Sequence, residues 1–228
     1  MKSKLTLILM LVVSSFGYAQ TVGGTFYIGS PQGDFGTNVD NLGYGFEIHG
    51  TLWSPGKDRP VTFGLNGGYL IYGMRTERRP FSLTIPDVGV DVTRTNSLAN
   101  MHFLIQINPF GGTVQPYLEG LFGGAYIFTT TEIKSVNLGQ EIASSTNYDD
   151  FTWSYGAGAG LLIQLSKDLG DVKTLYLDIK TRYLYGTEAQ YLTENGIVVN
   201  PATYQVNYFP KKSRTDLLSF HIGVTAYF

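Results

Sequence analysis

The sequence predicts an all-β fold, an eight-stranded antiparallel up-and-down transmembrane β-barrel, and three observations support this prediction. Only 15% of the 228 residues are charged, while 14% are aromatic and 28 are glycines; ordinary soluble domains have about 25% charged residues. Beyond residue 20, stretches of alternating polar and apolar residues recur and no helical pattern is convincing. The connections between these stretches alternate between short and long, as they do in transmembrane barrels.

Residues 1–19 have the pattern of a secretory signal peptide. Two lysines precede a largely apolar run, Leu5–Phe16, and Gly17 and Ala19 supply the small residues of a cleavage site. The apolar run is too short for a transmembrane helix, which needs about 20 residues. We therefore predict cleavage after Ala19 and a mature chain, residues 20–228, that forms one barrel domain.

Eight segments of the mature chain alternate as strands do, and each is long enough for the roughly 9–11 residues that a tilted strand needs to cross a bilayer. In chain order, the predicted strands are Val22–Ser30, Gly43–Ser54, Val61–Arg75, Ser97–Asn108, Val114–Thr131, Phe151–Leu165, Thr174–Gly186 and Asp216–Phe228. An even number of strands places both termini at the same end of the barrel, which is the periplasmic end in proteins of this architecture.

The predicted connections differ in length in an ordered way. The short ones are residues 55–60, Pro109–Thr113 and Ser166–Lys173, and the longer ones are Pro31–Leu42, Thr76–Asn96, Glu132–Asp150 and Thr187–Thr215. Tight turns at the periplasmic end and longer extracellular loops account for this alternation. In the last long connection, Asn195-Gly196 between apolar residues predicts a type I′ hairpin that extends the sheet above the membrane.

Successive side chains of a strand point to opposite faces, so one face of each predicted strand contacts lipid and the other faces the lumen. Taking the more apolar face as outward places every ionisable residue of the central strand spans inside: Glu47, His49, His102, Glu119, Asp178, Lys180, Arg182 and His221. A lysine or arginine on the lipid face at mid-depth would cost about 2–4 kcal/mol. A soluble barrel with its apolar face inside is the alternative, and it would leave the charged face in solvent.

The outward face also predicts an aromatic girdle near one rim of the barrel. Its members are Tyr126, Phe128, Trp153, Tyr155, Tyr183 and Tyr185. Amphipathic aromatic rings at the boundary between lipid and water are typical of transmembrane barrels.

We interpret the inward charges as a salt-bridged network that fills the lumen, because eight strands leave a barrel just wide enough for side chains. A narrow or gated channel, in which the same charges select or block solutes, is the alternative. The mid-strand glycines Gly156, Gly158 and Gly160 have no helix after them, so they do not form a phosphate site. Instead they are expected to leave room for bulky neighbours or to ease a bend.

The remaining composition excludes several classes of function. A net charge of −2 does not predict nucleic-acid binding. The absence of cysteine excludes a lipid-modified cysteine and a disulfide framework. Glu47 and His49 share a face, but no further cluster completes a metal site, so we expect neither a metal nor a cofactor. No histidine has the local His-x-Ser pattern of membrane-barrel hydrolases, so we do not expect an enzyme.

The last predicted strand has the most specific pattern in the chain. Apolar residues occur at every second position back from the C-terminal Phe, in a segment that comprises Phe220, Ile222, Val224, Ala226, Tyr227 and Phe228. This pattern resembles the insertion signal by which the barrel-assembly machinery recognises outer-membrane barrels. With the eight strands, and with Gly29–Phe35 followed by Gly43–Phe46, the chain resembles the small outer-membrane β-barrel family that includes the OmpA/OmpX-type and OmpW-like proteins.

The resemblance implies location in the outer membrane, contact with its lipid, and insertion by the barrel-assembly machinery. For its function, we predict a structural or surface-interaction role, in which the extracellular loops contact an extracellular ligand. A small porin-like channel for ions or small hydrophobic solutes is the alternative.

Overall fold

The structure, a computed structural model, describes residues 20–82, 85–136, 140–200 and 205–228. The predicted signal peptide, residues 1–19, lies outside the described residues. In the described part, eight antiparallel strands close into a barrel. They are β1 (Thr21–Pro31), β2 (Gly43–Thr51), β3 (Val61–Ser82), β4 (Ile85–Ile107), β5 (Val114–Ser135), β6 (Glu141–Leu169), β7 (Val172–Gly186) and β12 (Leu217–Tyr227).

Neighbouring barrel strands follow chain order, and the last strand closes the ring on the first. β1 pairs with β12 along its whole length, from Thr21 opposite Tyr227 to Pro31 opposite Leu217. Thr21 also lies opposite Thr51 at the end of β2, so both ends of the described chain lie at the short-turn end. The predicted fold, an eight-stranded up-and-down barrel with its termini at one end, is confirmed.

The outer surface of the barrel is apolar, as the alternation predicted. Large apolar side chains point away from the lumen on every barrel strand; examples are Phe26, Ile28, Phe46, Ile48, Phe63, Phe103, Leu118, Phe122, Leu161, Ile179, Phe220 and Ile222. Phe26 is 75% exposed and Phe103 69%. A soluble barrel would bury such residues, whereas this distribution is typical of barrels that face lipid.

Four strands, β3 to β6, are longer than predicted. Pairing of β3 with β4 continues to Ser82 opposite Ile85, and pairing of β5 with β6 continues to Lys134 opposite Glu141. The predictions of long loops at Thr76–Asn96 and Glu132–Asp150 are therefore wrong. Above the barrel, the two faces of the sheet no longer contact lipid on one side and a packed lumen on the other. The strict alternation is therefore lost there, although backbone pairing continues.

A short helix, α1 (Gly33–Val39), occupies the first long connection, so the prediction that the mature chain lacks a helix is wrong. Phe35 of this helix is completely buried, and Asp40 ends it in the left-handed conformation with φ 50°. Seven residues are too few for the helical period to stand out in a sequence. Among the described residues, no helix is both long and apolar enough to cross a membrane.

The last long connection contains four short strands that form two separate pairs. β8 (Glu188–Tyr191) pairs with β11 (Lys211–Arg214), and β9 (Ile197–Val199) pairs with β10 (Val206–Tyr208). Asn195 and Gly196 are not among the described residues with positive φ, which a type I′ turn requires. The predicted type I′ hairpin is therefore wrong, although this connection does form β-structure.

Candidate functional site

The predicted lumen charges meet in one buried cluster, in which β7 supplies the cations. Lys180 Nζ lies 2.8 Å from Glu47 Oε1 of β2 and 3.6 Å from Asp178 Oδ2. The Arg182 guanidinium contacts two carboxylates, Glu47 and Glu119, and its Nη2 donates to Glu119 Oε2 at 3.0 Å. β2, β5 and β7 are thus joined across the lumen by side chains.

Hydroxyl groups donate further hydrogen bonds to two of the cluster carboxylates, Asp178 and Glu47. Tyr117 donates to Asp178 Oδ1 at 2.6 Å, and Thr225 donates to Asp178 Oδ2 at 3.3 Å. Thr25 donates to Glu47 Oε1 at 3.5 Å. Because buried charges are tolerated only when they are paired and hydrogen-bonded, these contacts explain how the charges can remain inside the barrel.

His221 borders the cluster and stacks on an aromatic ring. Its Nδ1 lies 3.7 Å from Glu47 Oε1, and its Nε2 is 2.8 Å from the hydroxyl of Ser219. The imidazole stacks on Tyr27 with 4.6 Å between ring centroids and an interplanar angle of 15°. The ring is therefore fixed on one face by Tyr27 and at both nitrogens by polar neighbours.

The structure does not join the other two predicted histidines to the ion pairs. His49 and His102 both lie opposite Asn66 of β3, which separates them. His102 is only 1% exposed, and neither of its ring nitrogens has a hydrogen-bond partner among the described residues. Alternation placed these side chains in the lumen, but it did not determine their partners.

The inward glycines make room for the cluster, as predicted. A Cβ at Gly158 would lie 2.7 Å from Glu119 Oε1 and 2.8 Å from Arg182 Cγ. A Cβ at Gly160 would lie 2.5 Å from the ring of Tyr117. Since real Cβ atoms do not approach other atoms so closely, larger residues would displace the groups that form the cluster.

A second layer lies between the charges and the short-turn end. We call it the tyrosine layer, and it consists of Tyr117, Leu162, Tyr176 and Tyr227. The rings of Tyr176 and Tyr227 are 4.8 Å apart, and Gln115 donates to the hydroxyl of Tyr176 at 3.0 Å. Sequence analysis did not predict this layer.

A third layer covers the lumen at the other end. We call it the loop-end cap, and it consists of Phe35, Tyr72, Tyr191 and Leu192, all with at most 1% exposure. Phe35 packs edge-on against Tyr191 at 4.9 Å, and the Tyr191 hydroxyl lies 2.7 Å from that of Ser213. Asn38 of α1 donates to the same Tyr191 hydroxyl at 3.0 Å. The cap was not predicted, because α1 and the last connection meet only in the folded chain.

Inward side chains below the cap line a small cavity. One cavity at this level has a volume of about 10 Å³ and is lined by Leu98, Asn100, Ala125, Ser154, Leu184, Thr215 and Leu217. Such a volume holds about one water molecule.

The predicted girdle residues form a band of outward rings on β5, β6 and β7. Trp153 is 55% exposed, while Phe128 and Tyr183 are half-buried against neighbouring rings. Tyr126 contacts Phe128 at 5.4 Å between ring centroids, and further close pairs join Phe122 to Trp153, Tyr155 to Tyr185, and Tyr183 to Tyr185. The structure thus brings the six predicted residues to neighbouring positions on the outer surface.

The residues of the predicted insertion signal lie on both faces of the final strand. Phe220, Ile222, Val224 and Phe228 are exposed on the outer face, with Ala226 half-buried between them. Tyr227 points inward and belongs to the tyrosine layer. Recognition of this strand by the barrel-assembly machinery stays a prediction.

No family model and no curated protein matches this sequence. Among solved structures, the chain is similar to Neisserial surface protein A, with 11% identity, 91% of this chain and 96% of that chain covered, and a TM-score of 0.39. It is also similar to Ail, the attachment invasion locus protein of Yersinia pestis, with 14% identity, 91% and 95% coverage, and a TM-score of 0.34. Ail in complex with the heparin analogue sucrose octasulfate gives a TM-score of 0.33, with the same identity and coverage. The strand pairing of this chain itself confirms the predicted resemblance to small barrels at the level of the fold.

Proposed function

We propose that the chain is an integral outer-membrane protein with a closed lumen, whose loop end serves as an interaction surface. The observation that carries this proposal is the occupation of the lumen at three levels: the loop-end cap, the charged cluster and the tyrosine layer. A barrel closed in this way is suited to display rather than to conduction, because eight strands leave space only for their own side chains.

The distribution of apolar and aromatic residues supports the membrane location. Apolar side chains cover the outside of the barrel, and the girdle rings form neighbouring pairs on β5, β6 and β7. At the short-turn end, the Arg59 guanidinium lies 3.6 Å above the ring of Trp53, a pair suited to a headgroup region. Export by the predicted signal peptide and insertion by the barrel-assembly machinery complete this proposal.

The loop end supports the interaction role. β3 to β6 continue above the girdle as a sheet, and β8 to β11 fold beside it. Large apolar side chains are exposed there, among them Ile142, Val198, Val206 and Phe209. Several exposed apolar residues outside the lipid belt indicate a surface that contacts other molecules.

Conductance of the refolded full chain in a planar bilayer tests the closed lumen. We expect no reproducible steps, because Lys180 and Arg182 are held in buried ion pairs across the lumen. Steps that Lys180→Ala or Arg182→Ala abolishes or alters would establish the porin-like channel instead. A separate measurement tests for enzyme activity on lipid A. We expect the mass spectrum of lipid A from cells that express this protein to be unchanged, because we do not expect an enzyme.

Membrane location and orientation need separate measurements. We expect the protein in the outer-membrane fraction, with cleavage by externally added protease confined to the loop end. Trimming Thr187–Thr215 should remove ligand binding and leave the barrel folded. Recovery in the soluble fraction would contradict the proposal, as would protease cleavage only at the short-turn end.

A further inference from the structure

Above the girdle, one face of the paired strands β3 and β4 carries three arginines. Arg75 lies directly opposite Arg94, and Arg79 lies four residues further along β3. Arg94 is only 8% exposed and alternates with Asn96 and Leu98, which are buried on the lumen side of β4. Because paired residues and alternate residues of a strand share a face, all three arginines lie on the inward side. We call them the arginine cluster.

One carboxylate bridges the arginine cluster. Glu77 Oε1 lies 3.0 Å from Arg75 Nε and 3.9 Å from Arg94 Nη1, and Glu77 Oε2 accepts a hydrogen bond from Arg79 Nε at 3.1 Å. Glu194 of the last connection lies close by, but it accepts a backbone N–H of β3 at 3.1 Å and forms no ion pair among the described residues. Three guanidinium groups therefore share a single carboxylate.

Arg94 is the cluster member whose charge is least well compensated. Its Nη1 donates to the backbone carbonyl of Ile197 at 3.3 Å, and a guanidinium has five N–H donors in all. Burial is the main cause that lowers the pKa of Arg94 below its ordinary value; Glu77 opposes this effect, and Arg79 and Arg75 add to it. Since like charges directly opposite each other destabilise a sheet, an anion between Arg75 and Arg94 would stabilise this pair.

The arginine cluster can be reached by a small solute. The side chains of Arg75 and Arg79 are 45% and 39% exposed. Arg75 donates to Asn195 Oδ1, and Arg94 contacts Ile197, so the last connection borders the cluster on its inward side. We propose that the arginine cluster binds the phosphate group of a soluble phosphate ester where β3 and β4 meet the last connection.

A phosphate group matches the charge and the geometry of the cluster. A phosphate ester carries a charge of about −1.5 to −2 at pH 7 and has three strong acceptor oxygens. The cluster has two more guanidinium groups than carboxylates in contact with them, and guanidinium groups bind phosphate through paired hydrogen bonds. A carboxylate ligand would compensate only one of the two remaining charges.

A lipid headgroup fits the cluster less well than a soluble ester. Lipid contacts the outward face of the barrel strands, whereas the cluster lies on the inward face. The neighbouring arginine of the outward face, Arg78, is paired with Asp91 at 3.1 Å. The same phosphate chemistry could come from either source, so the experiment separates them.

The proposal deepens the surface-interaction role and rests on it, but its test needs neither a membrane nor conductance. The refolded full chain, with nitrogen-15-labelled arginine, is kept in dodecyl maltoside, a detergent without phosphate. Inorganic phosphate is exchanged for chloride at constant ionic strength. We expect the Nε–H signals of Arg75, Arg79 and Arg94 to shift together and to saturate, while that of Arg78 stays unchanged. The absence of a saturable shift overturns the proposal.

Two substitutions on the same strand provide a matched comparison. Arg79→Gln should weaken phosphate binding about tenfold, because it removes a charge-assisted hydrogen-bond donor. Arg78→Gln removes the same charge from the other face and should leave binding unchanged; far-UV circular dichroism checks that both variants fold. Equal weakening by the two substitutions would show a general effect of net charge and would overturn the proposal.

Micelles of dodecyl maltoside with added phosphatidic acid test the lipid as a source of phosphate. We expect no shift of the cluster signals in these micelles without inorganic phosphate. Shifts caused by phosphatidic acid would show that a lipid headgroup reaches the cluster, which overturns the assignment to a soluble ester. Fractionation and external protease cleavage test the proposed function separately, so its failure is distinguishable from a failure to bind phosphate.

Discussion

At the scale of single residues, Arg182 is the side chain on which the charged cluster most depends. It joins Glu47 of β2 to Glu119 of β5, and it is only 2% exposed. Replacing it by methionine leaves two buried carboxylates without their shared cation, which costs about 3–5 kcal/mol. We expect Arg182→Met to lower the free energy of unfolding by this amount in urea titrations of the detergent-solubilised barrel.

An exposed ion pair provides the control. Arg78 Nε lies 3.1 Å from Asp91 Oδ1, with 68% of the Arg78 side chain exposed. Arg78→Ala should therefore change stability by only about 0–1 kcal/mol. Adding Glu119→Gln to Arg182→Met should restore part of the loss, because Glu119 then no longer carries an unpaired charge while Glu47 keeps its contact with Lys180. Equal effects of Arg182→Met and Arg78→Ala would contradict this account of the cluster.

Glu77, above the girdle, provides a pH-dependent prediction. A hydrogen bond from Arg79 is the main cause that lowers the pKa of Glu77 below its ordinary value of 4.5, and the nearby Arg94 and Arg75 also lower it. A carboxylate with a lowered folded-state pKa stabilises the fold above its unfolded pKa, and that stabilisation is lost as pH falls through the folded-state value. Arg79→Ala should raise the Glu77 pKa towards 4.5, as measured by a carbon-13 titration of the labelled carboxyl. An unchanged titration midpoint would show that Arg79 does not set it.

Alternation predicted which charged residues of the barrel are inside, but it did not predict how they pair. Inward orientation follows from the two-residue period of a strand, and Lys180 is accordingly only 4% exposed. Partner choice depends on which residues of distant strands reach the same height. Arg182 therefore meets Glu47, 135 positions away in sequence, whereas His102 meets no partner among the described residues.

At the scale of elements, close strand contacts explain why some glycines cannot be replaced. A Cβ at Gly156 of β6 would lie 2.0 Å from the backbone oxygen of Tyr183 on β7. Gly156→Ala must therefore shift the backbone of one strand, and such overpacking costs about 1–3 kcal/mol. We expect this loss in the free energy of unfolding, measured by urea titration.

Gly120 of β5 is the matched control, because a Cβ there would meet nothing within 4 Å. Gly120→Ala should be neutral or slightly stabilising, since alanine restricts the unfolded chain more than glycine does. Equal destabilisation by the two substitutions would show that strand approach at Gly156 is not the cause.

The elements themselves were predictable to different degrees for a physical reason. Strand positions within the membrane belt were predictable, because lipid on one side and a packed lumen on the other impose strict alternation. Above the belt, water contacts both faces of residues 142–146 of β6, so the pattern that reveals a strand is lost. The helix α1 and the four-strand arrangement of the last connection depend on contacts such as Phe35 with Tyr191, which local sequence does not encode.

At the scale of the whole molecule, the three layers of the lumen are chemically different and are held by different parts of the chain. The loop-end cap depends on α1 and the last connection, through contacts such as Asn38 with Tyr191. The charged cluster and the tyrosine layer depend on barrel strands alone, because Tyr117 of β5 donates to Asp178 of β7 at 2.6 Å. Loss of the cap should therefore leave both lower layers in place.

A cap-deleted barrel tests this independence. Replacing Thr187–Thr215 by a short glycine-serine turn removes Tyr191 and Leu192, while Arg182 keeps its contacts with Glu47 and Glu119. We expect this variant to remain folded, as judged by far-UV circular dichroism, and to give no conductance steps in planar bilayers. Any ion that crossed the lumen would have to displace buried ion pairs, whose disruption costs about 3–5 kcal/mol. Steps from the cap-deleted barrel alone would show that the cap is the only effective barrier and that the lower layers yield to solvent.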